Sequence, residues 1–277
     1  MNGQASRLIE LNKLAETGRR NSNSKIISVC SGKGGTGKTF FSANFAYQLS
    51  RLNKKVLLVD FDLNFSNLNI LLNQTSAKTI SNFFEQTETM EEIVFNYSTN
   101  LDLIFRDSGR NDYPRVSREI IDYFFIVLTK IQHRYDYIIL DSSAGADVLV
   151  LHQLIKSDYN LIVTSPEPTA IMDAYVVLKL LAENESEAER YVVINKCSDT
   201  DEGENAFIKL STAVNHFLKM KIELLGIISN DGAAHKSIVN QELLLDYDPR
   251  SIAANEIYQN VMRFITITQM ANNNQPK

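Results

Sequence analysis

The sequence predicts an α/β fold, a doubly wound, mostly parallel sheet of seven or eight strands flanked by helices. Three observations carry that prediction. Short apolar, β-branched runs alternate with stretches of helical period almost from end to end. Most of those runs lack polar alternation, as strands covered by helices on both faces do. A glycine-rich turn, "SGKGGTGKT" at 31–39, joins one such run to a helical stretch. Alternation of this kind builds right-handed βαβ crossovers.

In chain order, residues 1–24 stand apart. Ala5, Leu8, Ile9, Leu11, Leu14 and Ala15 make a modest helical stripe, and the polar "GRRNSNS" (18–24) reads as a linker. Strands follow at "KIISVCS" (25–31), "KVLLVDFD" (55–62), "LDLIF" (101–105) and "YDYIILDSS" (135–143). Three more lie at "NLIVTS" (160–165), "RYVVINK" (190–196) and "IELLGIIS" (222–229). Helical period fills the gaps. In 206–218, Ala206, Phe207, Leu210, Ala213, Val214, Phe217 and Leu218 fall on one stripe. "ENESEAE" (183–189) reads as a solvated helix end, and "SIAANEIYQNVMRFITITQM" as a last helix before a polar tail. The expected organisation is a helix and linker at 1–24, one domain at 25–270 and a tail at 271–277.

Composition narrows the function classes. The 277 residues suit one large α/β domain, and 44% hydrophobic content suffices for a full core. With 28 basic and 33 acidic side chains, the net charge of −5 argues against direct nucleic-acid binding. Cys30 and Cys197 are the only cysteines, so no disulfide framework or cysteine-held cluster is expected. The four histidines lack zinc-like spacing. No signal-peptide core or membrane-spanning run is visible, so the expected location is the cytoplasm.

Gly32-x4-Gly37-Lys38-Thr39 matches the strand–GxxxxGK[ST]–helix pattern of a P-loop NTPase, with "FFSANFAYQLSRL" supplying the helix. The chemistry needs these residue types. Gly34, Gly35 and Gly37 let the backbone aim consecutive N–H groups at phosphate oxygens. The next helix presents its positive end to the same anion. Lys38 reaches the β- and γ-phosphates, and the Thr39 hydroxyl ligates Mg²⁺. Asp141, closing the apolar run "YDYIILD", is the expected acid behind that Mg²⁺. Asp60 and Asp62 end another strand two residues apart, and Asn195 sits at the carboxyl edge of a third, where doubly wound sheets bind ligands.

Lys33 is surplus to an ordinary phosphate loop. KGGxGK[ST] with this early lysine resembles the deviant Walker A loop of the MinD/ParA class, within the SIMIBI group of P-loop proteins. The resemblance implies that Lys33 crosses a subunit interface to the partner's phosphates, and that ATP joins a homodimer. It places Gly32 to Phe40, Thr36 included, around ATP. It also makes Asp62 the residue orienting the attacking water and puts Asp60 near Mg²⁺. Asn195, Pro249 and Arg250 are expected to meet adenine. Ser143 stands where the class commonly has proline or glycine.

"PEPTAIMDAY" (166–175) resembles the PEPTxxxDAY stretch of the FlhG/FleN/YlxH family, MinD-like ATPases that set flagellar number and placement. "NGQASRL" (2–8) resembles that family's DQAxxLR activator motif, with Gln4 matching the glutamine that enters the active site of the signal-recognition-type GTPase FlhF. The resemblance implies slow regulatory ATP hydrolysis. Its implied partners are FlhF, flagellar switch-complex proteins and a flagellar transcription regulator. It also adds the inner membrane face or cell pole as a place of action. The terminal helix departs from the family's basic amphipathic one. Arg263 is the sole cation within 256–270, so the stripe Ile257, Val261, Phe264 and Ile265 reads as core-packing, and membrane contact is left open. A MinD-type division ATPase and a ParA-type DNA-partitioning ATPase are the alternatives.

Overall fold

The computed structural model describes residues 24–62, 67–107 and 116–273. Gln4 and the whole 1–20 stripe therefore lie outside the described residues.

Eight strands form one sheet in the order β3-β4-β2-β5-β1-β6-β7-β8 among the described residues. They are β1 (Lys25–Ser31), β2 (Val56–Phe61), β3 (Phe95–Ser98), β4 (Leu101–Ile104), β5 (Tyr137–Ala144), β6 (Tyr159–Thr164), β7 (Glu189–Cys197) and β8 (Glu223–Ser229). Every pairing is parallel except that of the edge strand β3 with β4. β3 escaped the sequence reading because "FNYS" is short and half-exposed, and a hairpin with β4 makes it a strand.

Residues alternate between the two faces. Ile27, Val29, Tyr137 and Ile139 point to a core shared with helices α1 (Lys38–Arg51) and α10 (Ile252–Asn273). Ile26, Ile138 and Leu140 point the other way. There they meet α3 (Ile80–Phe84) and α4 (Arg118–Ile131). Further along that face are α5 (Val148–Ile155), α6 (Pro168–Glu183) and α7 (Thr200–Leu218). The short α2 (Leu68–Leu71), α8 (Gly232–Val239) and α9 (Leu244–Tyr247) complete the α-helices described, and a 3-10 turn (Gln132–Arg134) follows α4.

α10 packs into the core as its stripe predicts. Ile257, Val261 and Phe264 are fully buried. The Phe264 ring lies 5.3 Å from that of Tyr159 and 5.6 Å from that of Phe45. Burying such a side chain is worth about 1.5–3 kcal/mol, so the stripe is committed to the core. The helix runs to Asn273, past the expected start of the tail. Among the described residues no helix is long and apolar enough to cross a membrane.

One side chain departs from the expected stripe in α7. Ala206, Leu210 and Val214 are buried, whereas Phe217 is 69% exposed and meets His216 edge-on. Its helical period aims it at the stripe, yet of the last turn it is Leu218 that packs against the core.

Candidate active site

β1 lies between β5 and β6, and the chain leaves its carboxyl end through the loop Gly32–Gly37 into α1. Gly37 takes a left-handed φ of +89°, and an added Cβ would stand 2.3 Å from the Asn195 amide nitrogen. Gly32 is required by close packing, because its Cβ would lie 2.2 Å from the backbone of Asp173 in α6. Around Gly34 and Gly35 nothing comes within 4 Å of an added Cβ, so the middle of the loop opens onto a cavity of about 440 Å³. Gly37 offers no side-chain cap to α1, leaving its first turn to face an anion.

Beneath the loop the positive and acidic groups converge. Lys38 Nζ meets Asp141 Oδ1 at 2.8 Å with both side chains buried. Thr39 Oγ1 donates to Asp141 Oδ2 at 2.7 Å, and Ser42 Oγ donates to Oδ1 at 2.8 Å. Neighbouring β2 brings Asp60, whose carboxylate accepts from the backbone N–H groups of Asp62 and Leu68. Burial, together with the nearby Asp141 charge, pushes Asp60 up to about 7. Asp62 lines the cavity, and its Oδ1 accepts a 2.8 Å hydrogen bond from Ser143.

A second cavity of about 340 Å³ shares Gly37, Phe40 and Ile238 with the first and is lined further by Asn195, Lys196 and His235. Asn195 stands at this wall, but its amide is engaged by the protein. Nδ2 donates to Thr36 O at 2.7 Å, while Oδ1 accepts from the Lys196 N–H. It braces the loop as the structure stands. Pro249 and Arg250 are exposed and are not among the residues lining either cavity. Lys33 turns away from its own loop. Its ammonium donates to Glu167 Oε2 at 2.7 Å and Thr169 Oγ1 at 3.0 Å, both in the "PEPT" segment. That contact holds the Glu167 carboxyl below its ordinary range.

Three contributors were not read from the sequence. Ser42 sits one helical turn after Lys38, a spacing that could have suggested it. Lys196 directly follows Asn195, adopts a left-handed φ of 62°, and donates from Nζ to Gly35 O at 2.7 Å. Glu167 was noted only as part of a motif.

The residues fit a nucleotide with Mg²⁺. The Thr36 hydroxyl is buried in the loop without a hydrogen-bond partner among the described residues. The open backbone beside it, one buried lysine and the Thr39–Asp141 pair form the donor set that phosphate and a hard cation require.

A family profile described as AAA domain matches residues 24–194. The chain is 31% identical over 263 residues to flagellum site-determining protein YlxH of Helicobacter pylori, covering 93% of this chain and 87% of that one. It is 28% identical over 230 residues to antiactivator FleN of Pseudomonas aeruginosa, covering 83% and 82%. Its fold matches the septum site-determining protein MinD of Pyrococcus horikoshii, solved with Mg-ADP, at a TM-score of 0.72. That match spans 89% of this chain and 98% of the other at 20% identity.

The chain belongs to the MinD/ParA class of P-loop ATPases. For a MinD/ParA-class ATPase the sheet order explains the position of the site. β1 is the switch point from which the chain winds both ways, so the loop after it opens into a crevice between neighbouring connections.

Proposed function

We propose that this protein is an ATP-dependent dimerising switch with slow hydrolysis that regulates flagellar number or placement. The observation that carries the reading is the division of labour between the loop's two lysines. Lys38 sits in its own site beside Asp141, whereas Lys33 lies on Glu167 and Thr169, outside the lining of its own cavity. That placement supports a role for Lys33 at the phosphates of another subunit.

In this reading Lys38 leaves Asp141 for the β- and γ-phosphates of ATP, exchanging one anionic partner for another. Mg²⁺, if held by Thr39, Asp60 and Asp141, would supply charge neutralisation for the phosphates. Asp62 orients the attacking water, and Asn195 keeps the loop shaped through Thr36. Phe40, 8% exposed and common to both cavities, gives the nucleotide an apolar wall. Lys33 exchanges Glu167 for the partner chain's phosphates, so hydrolysis times the dimer.

The name of YlxH, a flagellum site-determining protein, supports a flagellar role, and that of the antiactivator FleN a regulatory one. The proposed partners are the GTPase FlhF, engaged through Gln4, and flagellar switch-complex or transcription factors. The net charge of −5 disfavours DNA partitioning, which needs a salt-sensitive basic face. The test is the solution mass of Asp62→Ala by light scattering. A dimer with Mg-ATP and a monomer with Mg-ADP is expected. A monomer in both, with ATP shown to be bound, would remove the switch. Deleting residues 1–20 should spare ATPase activity and lose stimulation of FlhF; retained stimulation would sink the Gln4 assignment.

A further inference from the structure

β2 and β5 are neighbours in the sheet, with Asp60 opposite Asp141 and Phe61 opposite Ser142. The register ends there, and the next residue of each strand, Asp62 and Ser143, is joined to the other by a side-chain hydrogen bond. Side chains two apart on a strand share a face. Asp60, Asp62, Asp141 and Ser143 therefore gather at the carboxyl ends of two adjacent strands, on the side that α1 covers.

Within that group Ser143 has one contact with a direct bearing on turnover. Its Oγ donates to Asp62 Oδ1 at 2.8 Å, and the two side chains are 1% and 8% exposed. Ser143 lies within β5, one residue past its last pair with β2 and inside the irregular stretch of its pairing with β1, and its side chain is buried. Asp62 lies one residue beyond the end of β2 and beyond that strand's last pair with β5. Its backbone N–H leans on Asp60 at 3.3 Å, a longer and weaker tether. Asp62 lines the cavity and Ser143 does not.

Resting on the functional reading above, we propose that Ser143 is a positioning residue for Asp62. Its hydroxyl holds the carboxylate in the orientation from which Asp62 aligns water. A water-aligning carboxylate acts through geometry, and small misplacements are expensive in rate while leaving substrate binding intact. A proline or glycine at 143 could donate no such bond. Ser143 therefore couples the strand that carries Asp141 to the one that carries Asp62.

The test uses the full chain and measures ATP turnover, ATP affinity and dimer lifetime for Ser143→Ala, Ser143→Thr and Asp62→Ala. Ser143→Ala should lower kcat about tenfold with ATP affinity within about twofold of wild type, as expected when the loss falls on alignment for chemistry and not on substrate binding. Its Mg-ATP dimer should persist correspondingly longer in light scattering. Ser143→Thr keeps the hydroxyl and should restore most of the rate. Wild-type or faster turnover in Ser143→Ala overturns the proposal. So does a Ser143→Thr variant that binds ATP normally yet is as slow as Ser143→Ala. A failure of the underlying reading looks different, because then Asp62→Ala itself hydrolyses ATP normally.

Discussion

Replacing Lys38 with methionine keeps the length of the side chain and removes its charge. Lys38 Nζ and Asp141 Oδ1 are 2.8 Å apart, with side chains 7% and 1% exposed. Removing one partner of a buried pair costs about 3–5 kcal/mol, because the other charge is stranded. Asp141 would retain its bonds from Thr39 and Ser42. Those two bonds put the expected loss at the lower end, about 3 kcal/mol. At about 2–4 °C per kcal/mol for a domain of this size, the nucleotide-free protein should melt about 6–12 °C lower. The assay is a thermal melt at neutral pH with and without Mg-ATP. ATP at about 100 times the wild-type Kd stabilises a binding protein by about 2.7 kcal/mol, and the Lys38→Met protein should show none of that shift. Adding Asp141→Asn should recover most of the nucleotide-free stability without recovering the shift. A Lys38→Met protein with the wild-type melting temperature would refute the buried-pair reasoning. An intact ATP shift would refute the phosphate role.

Three other outcomes are expected. Gly37→Ala forces a side chain into a left-handed φ and against Asn195. It should cost about 1–2 kcal/mol in backbone strain alone and weaken ATP binding, while Gly34→Ala, with open space around its Cβ, should melt like wild type. Equal melts for the two variants would remove that distinction. Asp60 is held protonated in the folded protein up to about 7, against an ordinary value of 3.8. Between those values the folded state binds a proton that the unfolded state has lost. The contribution of Asp60 to stability is therefore fully present below 3.8 and is lost as pH rises towards 7. Asp60→Asn should flatten that part of the stability–pH curve in melts without nucleotide, and an unchanged slope would exclude Asp60 as its source. Glu167→Gln removes an exposed partner of Lys33, so the melting temperature should hold while ATP-driven dimerisation tightens. Weaker dimerisation would mean that Glu167 assists Lys33.

The fold was legible because its signals are local and repeated. Seven strands announced themselves through runs such as "KVLLVDFD" and "YDYIILDSS", whose continuous apolar character reports burial on both faces. β3 did not, because its pairing with β4 is its only reason to be a strand. The stripe of α10 could be read from helical period alone, whereas the exposure of Phe217 could not, since period gives direction and not what lies in that direction. At the site, the glycine-rich loop was readable because a tight turn between strand and helix admits few residue types at fixed spacing, and the fold brings Lys38 and Thr39 onto Asp141. Pro249 and Arg250 were drawn from resemblance, and the fold leaves both exposed and off the cavity walls.

By itself, then, the sequence determined the elements and the phosphate loop, which rest on forces acting within a few residues. Register and approach were decided only by tertiary structure. The pairing of β2 with β5 sets Asp62 against Ser143, residues 81 apart in the chain. The packing of α6 on the loop puts Glu167 under Lys33 across 134 residues. The end of β7 delivers the Asn195 amide to Thr36 across 159. Each of these contacts is a hydrogen bond that works only within a few tenths of an ångström, and only the closed sheet brings its partners that near.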